Sequence, residues 1–357
     1  MADSSLRIDV LTGRQVIVAP QRSQRPGASI GDPTLVGAVH KNPFVEGNEQ
    51  NTPEEHLALR QTETAANAPG WLVRVVPNQF PAVVANQQNP ELTDSRLCSN
   101  LAVSGIHDVV IESPRPHHRL AELSSAETAR ILLGWLHRVR RLEENAATKS
   151  ITVFRNEGFS AGASLPHIHS QIIALNTIPP QAVARFRQSA EHRRQTGSSL
   201  LHDLYDAELS DGKRIISANA ACVTMCPYAG RVSWQVRIAP RKSVATSFSS
   251  CPESVMLQIA GMLHASAVAI DNCAGPLAMN LLLVQPSSEQ SDDGWFLDLM
   301  PRPARMAGFE LATDVDIVTV SPEAAAESLR NVFQADEPLQ ADVVPPGYHW
   351  YDKSATS

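Results

Sequence analysis

Two histidines one residue apart, His167 and His169, follow directly on a run of small residues: Gly158, Ser160, Ala161, Gly162, Ala163 and Ser164. Side chains of that size let backbone N–H groups approach an anion closely. The histidines supply the chemistry. In an extended strand residues i and i+2 share a face, so His167, His169 and the following Gln171 are expected to line one pocket wall. A neutral imidazole attacks phosphorus at physiological pH without a general base to activate it. A His-x-His pair alone is commonly two hydrogen-bonded strand histidines. The small-residue loop before this pair, and the amide and the apolar Ile172 to Leu175 after it, favour a phosphate site with a nucleophile. Phosphoryl transfer spreads negative charge over the phosphoryl oxygens, and the candidate donors to them are Ser164, Gln171 and Asn156.

These residues need a scaffold. Residues 107–114 read as a strand ended by proline, and 120–145 as an amphipathic helix with Ala129, Leu132, Leu133, Leu136, Val139 and Leu142 at helical spacing. A strand at 150–156 follows, and the His167 strand closes the unit. The pattern then recurs, with a proline-ended strand at 234–240, a helix at 252–271 and strands at 278–284 and 295–300. This spacing predicts an internal duplication, divided into residues 1–180, residues 181–335 and a Pro-rich tail at 336–357. A strand pair at 6–9 and 15–18 opens the chain, and 181–213 reads as polar and helical. The copies differ at their closing strands. The first carries His167 and His169 where the second has Gly294, Trp295, Phe296, Leu297 and Asp298, so only the first can perform nucleophilic histidine chemistry.

The run Gly162-Ala163-Ser164-x-x-His167-x-His169-Ser170-Gln171, preceded by Phe154-x-Asn156-x-Gly158, resembles the active-site signature of the galactose-1-phosphate uridylyltransferase family, a branch of the histidine-triad superfamily. Ser170 after the second histidine, with Pro179 and Pro180 downstream, is most similar to its ADP-glucose phosphorylase-like members. The resemblance extends over residues 6–335, through 7–26, 73–81 and 308–311. It implies an α+β fold, a duplicated histidine-triad-like unit whose mostly antiparallel sheet has helices packed on one face. It further implies that His169, with His167 beside it, attacks the α-phosphorus of a nucleoside diphosphate sugar and expels sugar 1-phosphate. The nucleotidyl group would then pass to a sugar 1-phosphate or to phosphate. Gly162 and Ala163 fall at the nucleotide. Arg22 and Arg25 match positions near it, a solvated loop being the alternative, and Asn78 matches a base or ribose contact, a strand-end turn being the alternative. Glu310 and residues 312–316 lie where relatives contact the sugar, and 312–316 depart from the uridylyl-transfer pattern.

The resemblance also raises metals, since relatives usually bear structural zinc. Their Cys-Pro-Phe-Cys element reads Asn42, Pro43, Phe44 and Val45 here, without either thiolate, and a third ligand position falls at Pro116, beside His117 and His118. Of that set His167 remains. In the second cluster Ser199, His202, Ser243 and Gly294 stand at the ligand positions. A tetrahedral zinc site needs four N, S or O ligands, so no zinc and no other cofactor is expected, with His117, His118 and His167 as the residual grouping.

Composition bounds the rest. A chain of 357 residues with 43% hydrophobic residues is expected to be a globule with a sizeable core, and a net charge of −7 argues against nonspecific nucleic-acid binding. No membrane span or signal peptide is read, and cytoplasmic residence is expected. Five scattered cysteines, Cys98, Cys222, Cys226, Cys251 and Cys273, read as reduced and packed. A homodimer is compatible with exposed edge strands. Three functions compete: nucleotidyl transfer, in first place uridylyl transfer from UDP-glucose to a hexose 1-phosphate as the resemblance implies, with ADP-sugar phosphorolysis as its alternative; hydrolysis of nucleoside phosphoramidates or dinucleotides, disfavoured because Gln171 cannot protonate a leaving group; and a degenerate nucleotide binder.

Overall fold

The structure is a computed structural model describing residues 4–24, 42–85, 97, 102–241, 246–287, 294–335 and 343–355. Its strands, in chain order, are β1 (Ser5–Ile8), β2 (Gln15–Val18), β3 (Leu57–Gln61), β4 (Trp71–Pro77), β5 (Gly105–Ile111), β6 (Ser150–Glu157), β7 (His169–Leu175), β8 (Ile215–Ala218), β9 (Cys222–Met225), β10 (Val236–Pro240), β11 (Met279–Val284), β12 (Phe296–Pro301), β13 (Asp316–Val318) and β14 (Tyr348–Asp352). Its α-helices are α1 (Ser125–Glu143), α2 (Pro180–Thr196), α3 (Leu200–Asp211), α4 (Glu253–Ala274), α5 (Gly308–Thr313) and α6 (Pro322–Val332).

Eleven strands form one sheet in the order β14-β3-β4-β5-β7-β6-β11-β12-β10-β9-β8. The run β3-β4-β5-β7-β6 has the same plan as β8-β9-β10-β12-β11, which is the duplication read from the sequence. The copies meet where β6 pairs antiparallel with β11, setting Asn156 opposite Asn280. The chain ends cross the division between them. β1 and β2 form a small sheet with β13, and β14 pairs with β3, so the N-terminal hairpin joins a late strand and the tail completes the edge of the first copy.

One face of the large sheet is dry. α1 starts at a capping box between Ser124 and Glu127 and ends with Arg140 and Arg141 in its last turn, both favourable to its dipole. Its Leu132, Leu136 and Val139 share a core with Met256, Ile259 and Leu263 of α4 and with Val153, Ile172, Leu281, Leu283, Leu297 and Leu299 of the sheet. Strand alternation then turns Asn156, His169, Gln171, Asn280, Asp298 and Met300 to the opposite face, which α3 covers in part over the second copy by packing Leu200, Leu201 and Tyr205 against Val223, Met225, Ala239 and Phe296. Ser170, between His169 and Gln171, points into the helix layer, where Trp135 Nε1–H donates to its hydroxyl at 2.7 Å. That bond anchors the His169 strand from behind.

α4 corrects one expectation: by length and a mean hydropathy of 1.3 it is apolar enough to cross a membrane. Of its apolar window 67% is buried, which is the pattern of a core helix. Cys222, Cys226 and Cys251 are buried free thiols, and burial pushes Cys222 and Cys251 up to about 12, so they pack rather than react. Cys98 lies outside the described residues.

Candidate active site

His169 opens β7 and is 6% exposed. Its Nδ1 lies 2.8 Å from the His167 carbonyl oxygen, which can only accept, so Nδ1 carries the proton and Nε2 the lone pair. Burial, with Arg155 adding to it, holds the imidazolium form below its ordinary range, so the ring is neutral at pH 7. The Phe44 ring, 5.2 Å away, walls one side. A neutral, oriented imidazole with one unsatisfied nitrogen is the nucleophile the chemistry requires.

Two amides flank it. Val109, Gln171 and Phe154 form one cross-strand row, and extending the β6–β7 register by one residue sets Asn156 across from His169. Each amide has its oxygen tied down. Gln171 Oε1 sits 2.8 Å from His107 Nε2, and Asn156 Oδ1 accepts from Asn280 Nδ2 at 2.8 Å. Asn280 also donates to Ala161 O at 2.9 Å and accepts from Arg302 Nε, so the second copy props the first copy's loop. The N–H ends of Gln171 and Asn156 are left as donors. His107, Asn280 and Arg302 were not singled out from the sequence. Asn280, a lone amide in the otherwise apolar strand β11, was the available signal.

The loop before His167 differs from expectation. Gly158 and Gly162 adopt φ of 82° and 93°, which side chains resist, and the loop closes on itself: the N–H groups of Ala161 and Ala163 donate to Gly158 O and that of Gly162 to Phe159 O. Gly162 and Ala163 therefore shape the loop and do not present a nest of donors, because small residues permit an outward N–H without directing it. Ser164 is exposed, and no hydrogen bond holds its hydroxyl among the described residues. Asn78 directly follows β4 beside the site. Its Oδ1 accepts Phe80 N–H at 2.8 Å, and its Nδ2 lies 3.1 Å from His107 Nε2.

Arg22 and Glu310 stand elsewhere. Arg22 is exposed on the 3-10 turn Pro20–Gln24 after β2, and Glu310 caps its own helix α5 by accepting Ala307 N–H at 3.1 Å. Among the described residues no hydrogen bond or ion pair connects either to His169, Gln171 or Asn156. Arg25 lies outside the described residues.

His167 requires a correction. It precedes β7, so strand alternation does not apply to it, and its buried ring is held at both nitrogens: Nε2 donates to Ser113 O at 2.8 Å and Nδ1 accepts from Asn42 Nδ2 at 3.0 Å. It has no free atom for a substrate, and burial lowers it to about 4. Its role in the geometry is played by its carbonyl, which orients His169. The same bonds test the fit of a metal. Asn42 meets His167 with an amide N–H where a ligand would need a lone pair, and His118 Nδ1 is turned to Pro166 O at 3.2 Å. Among the described residues no three His, Cys, Asp or Glu side chains are grouped to hold an ion. The second set does converge in space without a ligand complement: Ser199 and His202 are buried, and a Cβ on Gly294 would stand 3.8 Å from His202 Nε2. Ser243 lies outside the described residues.

Comparison with known proteins finds relatives in both sequence and fold. The sequence profile of the galactose-1-phosphate uridyl transferase N-terminal domain matches residues 1–179, half of the chain and the half that carries His169, Gln171 and Asn156. The chain is 28% identical over 340 residues to the ADP-glucose phosphorylase of Arabidopsis thaliana, covering 92% of each, and 27% identical over 243 residues to the galactose-1-phosphate uridylyltransferase of Kluyveromyces lactis, covering 63% of this chain and 62% of that one. A crystal structure of an Arabidopsis thaliana ADP-glucose phosphorylase with bound ADP-glucose is similar with a TM-score of 0.76 at 27% identity, covering 93% of this chain and 99% of that one. The expected α+β class and the family resemblance are thereby borne out, and the chain belongs to the galactose-1-phosphate uridyl transferase family.

Proposed function

We propose that the protein transfers a nucleotidyl group from a nucleoside diphosphate sugar through a covalent nucleotidyl-histidine. His169 Nε2 attacks the α-phosphorus, the bond from that phosphorus to the bridging oxygen breaks, and sugar 1-phosphate leaves with the electron pair. The phosphorylated ring carries a positive charge, which the His167 carbonyl, accepting Nδ1–H, stabilises. An acceptor phosphate oxygen then attacks the same phosphorus, the P–N bond breaks and His169 returns neutral. Gln171 and Asn156 donate from their amide nitrogens to the phosphoryl oxygens as charge builds, and Ser164 supplies a third donor. The observation that carries this reading is the pinned Nδ1–H of His169, which leaves Nε2 as the one reactive nitrogen between two oriented amides.

The similarity to ADP-glucose phosphorylase, 28% identical over 92% of both chains, supports ADP-sugar as donor and phosphate as acceptor over uridylyl transfer to a hexose 1-phosphate, since a Saccharomyces cerevisiae galactose-1-phosphate uridylyltransferase matched over the same 92% of this chain is 23% identical. Phe80, 83% exposed beside Asn78, offers a face on which a base can stack. The reading needs no metal, since the Asn42–His167–Ser113 hydrogen bonds hold the loop in place of one. Purified protein mixed with ADP-glucose or UDP-glucose and weighed intact tests the chemistry: an added nucleoside monophosphate that is absent in His169→Ala and discharged by phosphate is expected. Absence of any adduct on folded, nucleotide-binding protein would leave the degenerate binder as the better account. Elemental analysis is expected to find less than stoichiometric zinc in the active protein.

A further inference from the structure

We infer that His107 is a positioning residue that sets which end of the Gln171 amide faces the reacting phosphoryl group; the inference rests on the nucleotidyl-transfer reading. The two ends of a side-chain amide are nearly equal in shape and opposite in function. An oxygen turned toward the phosphoryl group would repel it, whereas the NH2 end stabilises it. Nothing on β7 itself selects between them.

His107 makes the selection through a backbone group. Ala82 N–H donates to His107 Nδ1 at 3.0 Å, and a backbone N–H cannot accept, so Nδ1 holds no proton and the ring's proton is on Nε2. Nε2, 2.8 Å from Gln171 Oε1, therefore donates to it and turns the Gln171 NH2 toward the groove. Reversing the amide would set NH2 against Nε2–H, two donors face to face. The arrangement is held from several sides. His107 is buried, its carbonyl accepts Asn78 N–H at 2.8 Å, and Asn78 Oδ1 accepts Phe80 N–H, which keeps the segment leading to Ala82 in place. Gly105, two residues earlier on β5, permits the close β5–β7 pairing, because a Cβ there would overlap the Ala174 carbonyl. Asn78 Nδ2 also lies 3.1 Å from Nε2 with its own oxygen held by Phe80 N–H, a contact that favours the other tautomer and is outweighed by Ala82 N–H on Nδ1 together with the shorter contact of Nε2 with Gln171 Oε1. A donated proton on Oε1 further polarises the Gln171 amide and strengthens its N–H groups as donors.

Two substitutions separate positioning from mere support of the loop. Gln at 107 can place a donor where Nε2 was, whereas Asn keeps an acceptor for Ala82 N–H and loses that donor. In single-turnover nucleotidylation, His107→Asn is expected to slow the chemical step roughly tenfold or more at saturating substrate, with His107→Gln near wild type and substrate affinity little changed in both. In a Gln171→Ala background His107→Asn is expected to cost nothing further. Near-wild-type rates for His107→Asn, or additive losses in the double variant, would overturn the inference. Long-range proton–nitrogen NMR of the His107 ring needs no substrate: a proton on Nε2 is expected, and one on Nδ1 would overturn the inference even if transfer is observed. A wild-type protein that forms no adduct, with the proton on Nε2, would instead defeat the nucleotidyl-transfer reading on which the role depends.

Discussion

β7 and β12 hold the same place in two copies of one fold, and their open faces are wired in opposite ways. On β7 and its neighbours each polar group has one end held and one end free: His169 by Nδ1, Gln171 and Asn156 by their oxygens. On β12, Asp298 accepts from Arg237 Nε and Nη2, both at 2.8 Å, and from Gln235 Nε2 at 3.0 Å, while the Arg237 guanidinium lies over the Phe296 ring. These groups satisfy one another. A closed network of buried charges stiffens a sheet but has nothing left to give a substrate. Volume does not mark the difference, since a cavity of about 380 Å³ borders Asp298 and Arg237. Chemistry is marked by unsatisfied ends that structure holds in one direction.

The contrast can be broken experimentally, most severely at His169. Replacing His169 with Ala is expected to abolish the covalent adduct and to lower turnover by roughly four orders of magnitude, read by intact mass and steady-state rates. On the other copy, Asp298→Ala strands the buried Arg237 and is expected to cost about 3–5 kcal/mol of stability, measured by denaturant titration, with adduct formation per folded molecule unchanged. A folded Asp298→Ala protein without adduct formation would show that the second copy takes part in the chemistry.

A pH titration sharpens the same division. His167 falls to about 4 in the folded protein against an ordinary value of 6.5, so the unfolded chain binds the extra proton first. Stability is therefore full above pH 6.5 and is lost as pH falls toward 4, by roughly 3 kcal/mol from this residue, and the slope is expected to shrink in a folded His167→Gln variant. Because burial also lowers His169, adduct formation is expected to persist below pH 6.5 while the fold holds. The smallest effect tests the seam between copies. Asn280→Ala frees Asn156 Oδ1 and Arg302, and about a tenfold slower transfer is expected with the nucleophile intact.

Periodicity and local chemistry made much of this legible. Alternating strands, the two long helices and the duplicated order follow from residue spacing, and His169, Gln171 and Asn156 stand together as their strand positions implied. The misreadings share a cause. His167 was expected in the strand, but the strand begins at His169, and a ring outside regular structure points wherever its partners draw it. The small-residue loop was expected to offer N–H groups outward, and it uses them to close its own turn. Arg22 and Glu310 carry sequence positions from relatives, which do not by themselves give spatial ones.

From the sequence alone came the proposed nucleophile, the amides near it, the fold class and the presence of the His-x-His pair in one copy, because those depend on residue type and on spacing within a few turns or strand steps. Tertiary structure decided which nitrogen of His169 is bare, which end of each amide faces out, and that Asn42 stands against His167 with a donor. Those choices are made by hydrogen bonds between residues 64, 124 and 125 positions apart in the pairs His107–Gln171, Asn156–Asn280 and Asn42–His167. A tautomer or an amide orientation has no intrinsic preference in the chain, and acquires one only when folding brings a partner of fixed polarity to it.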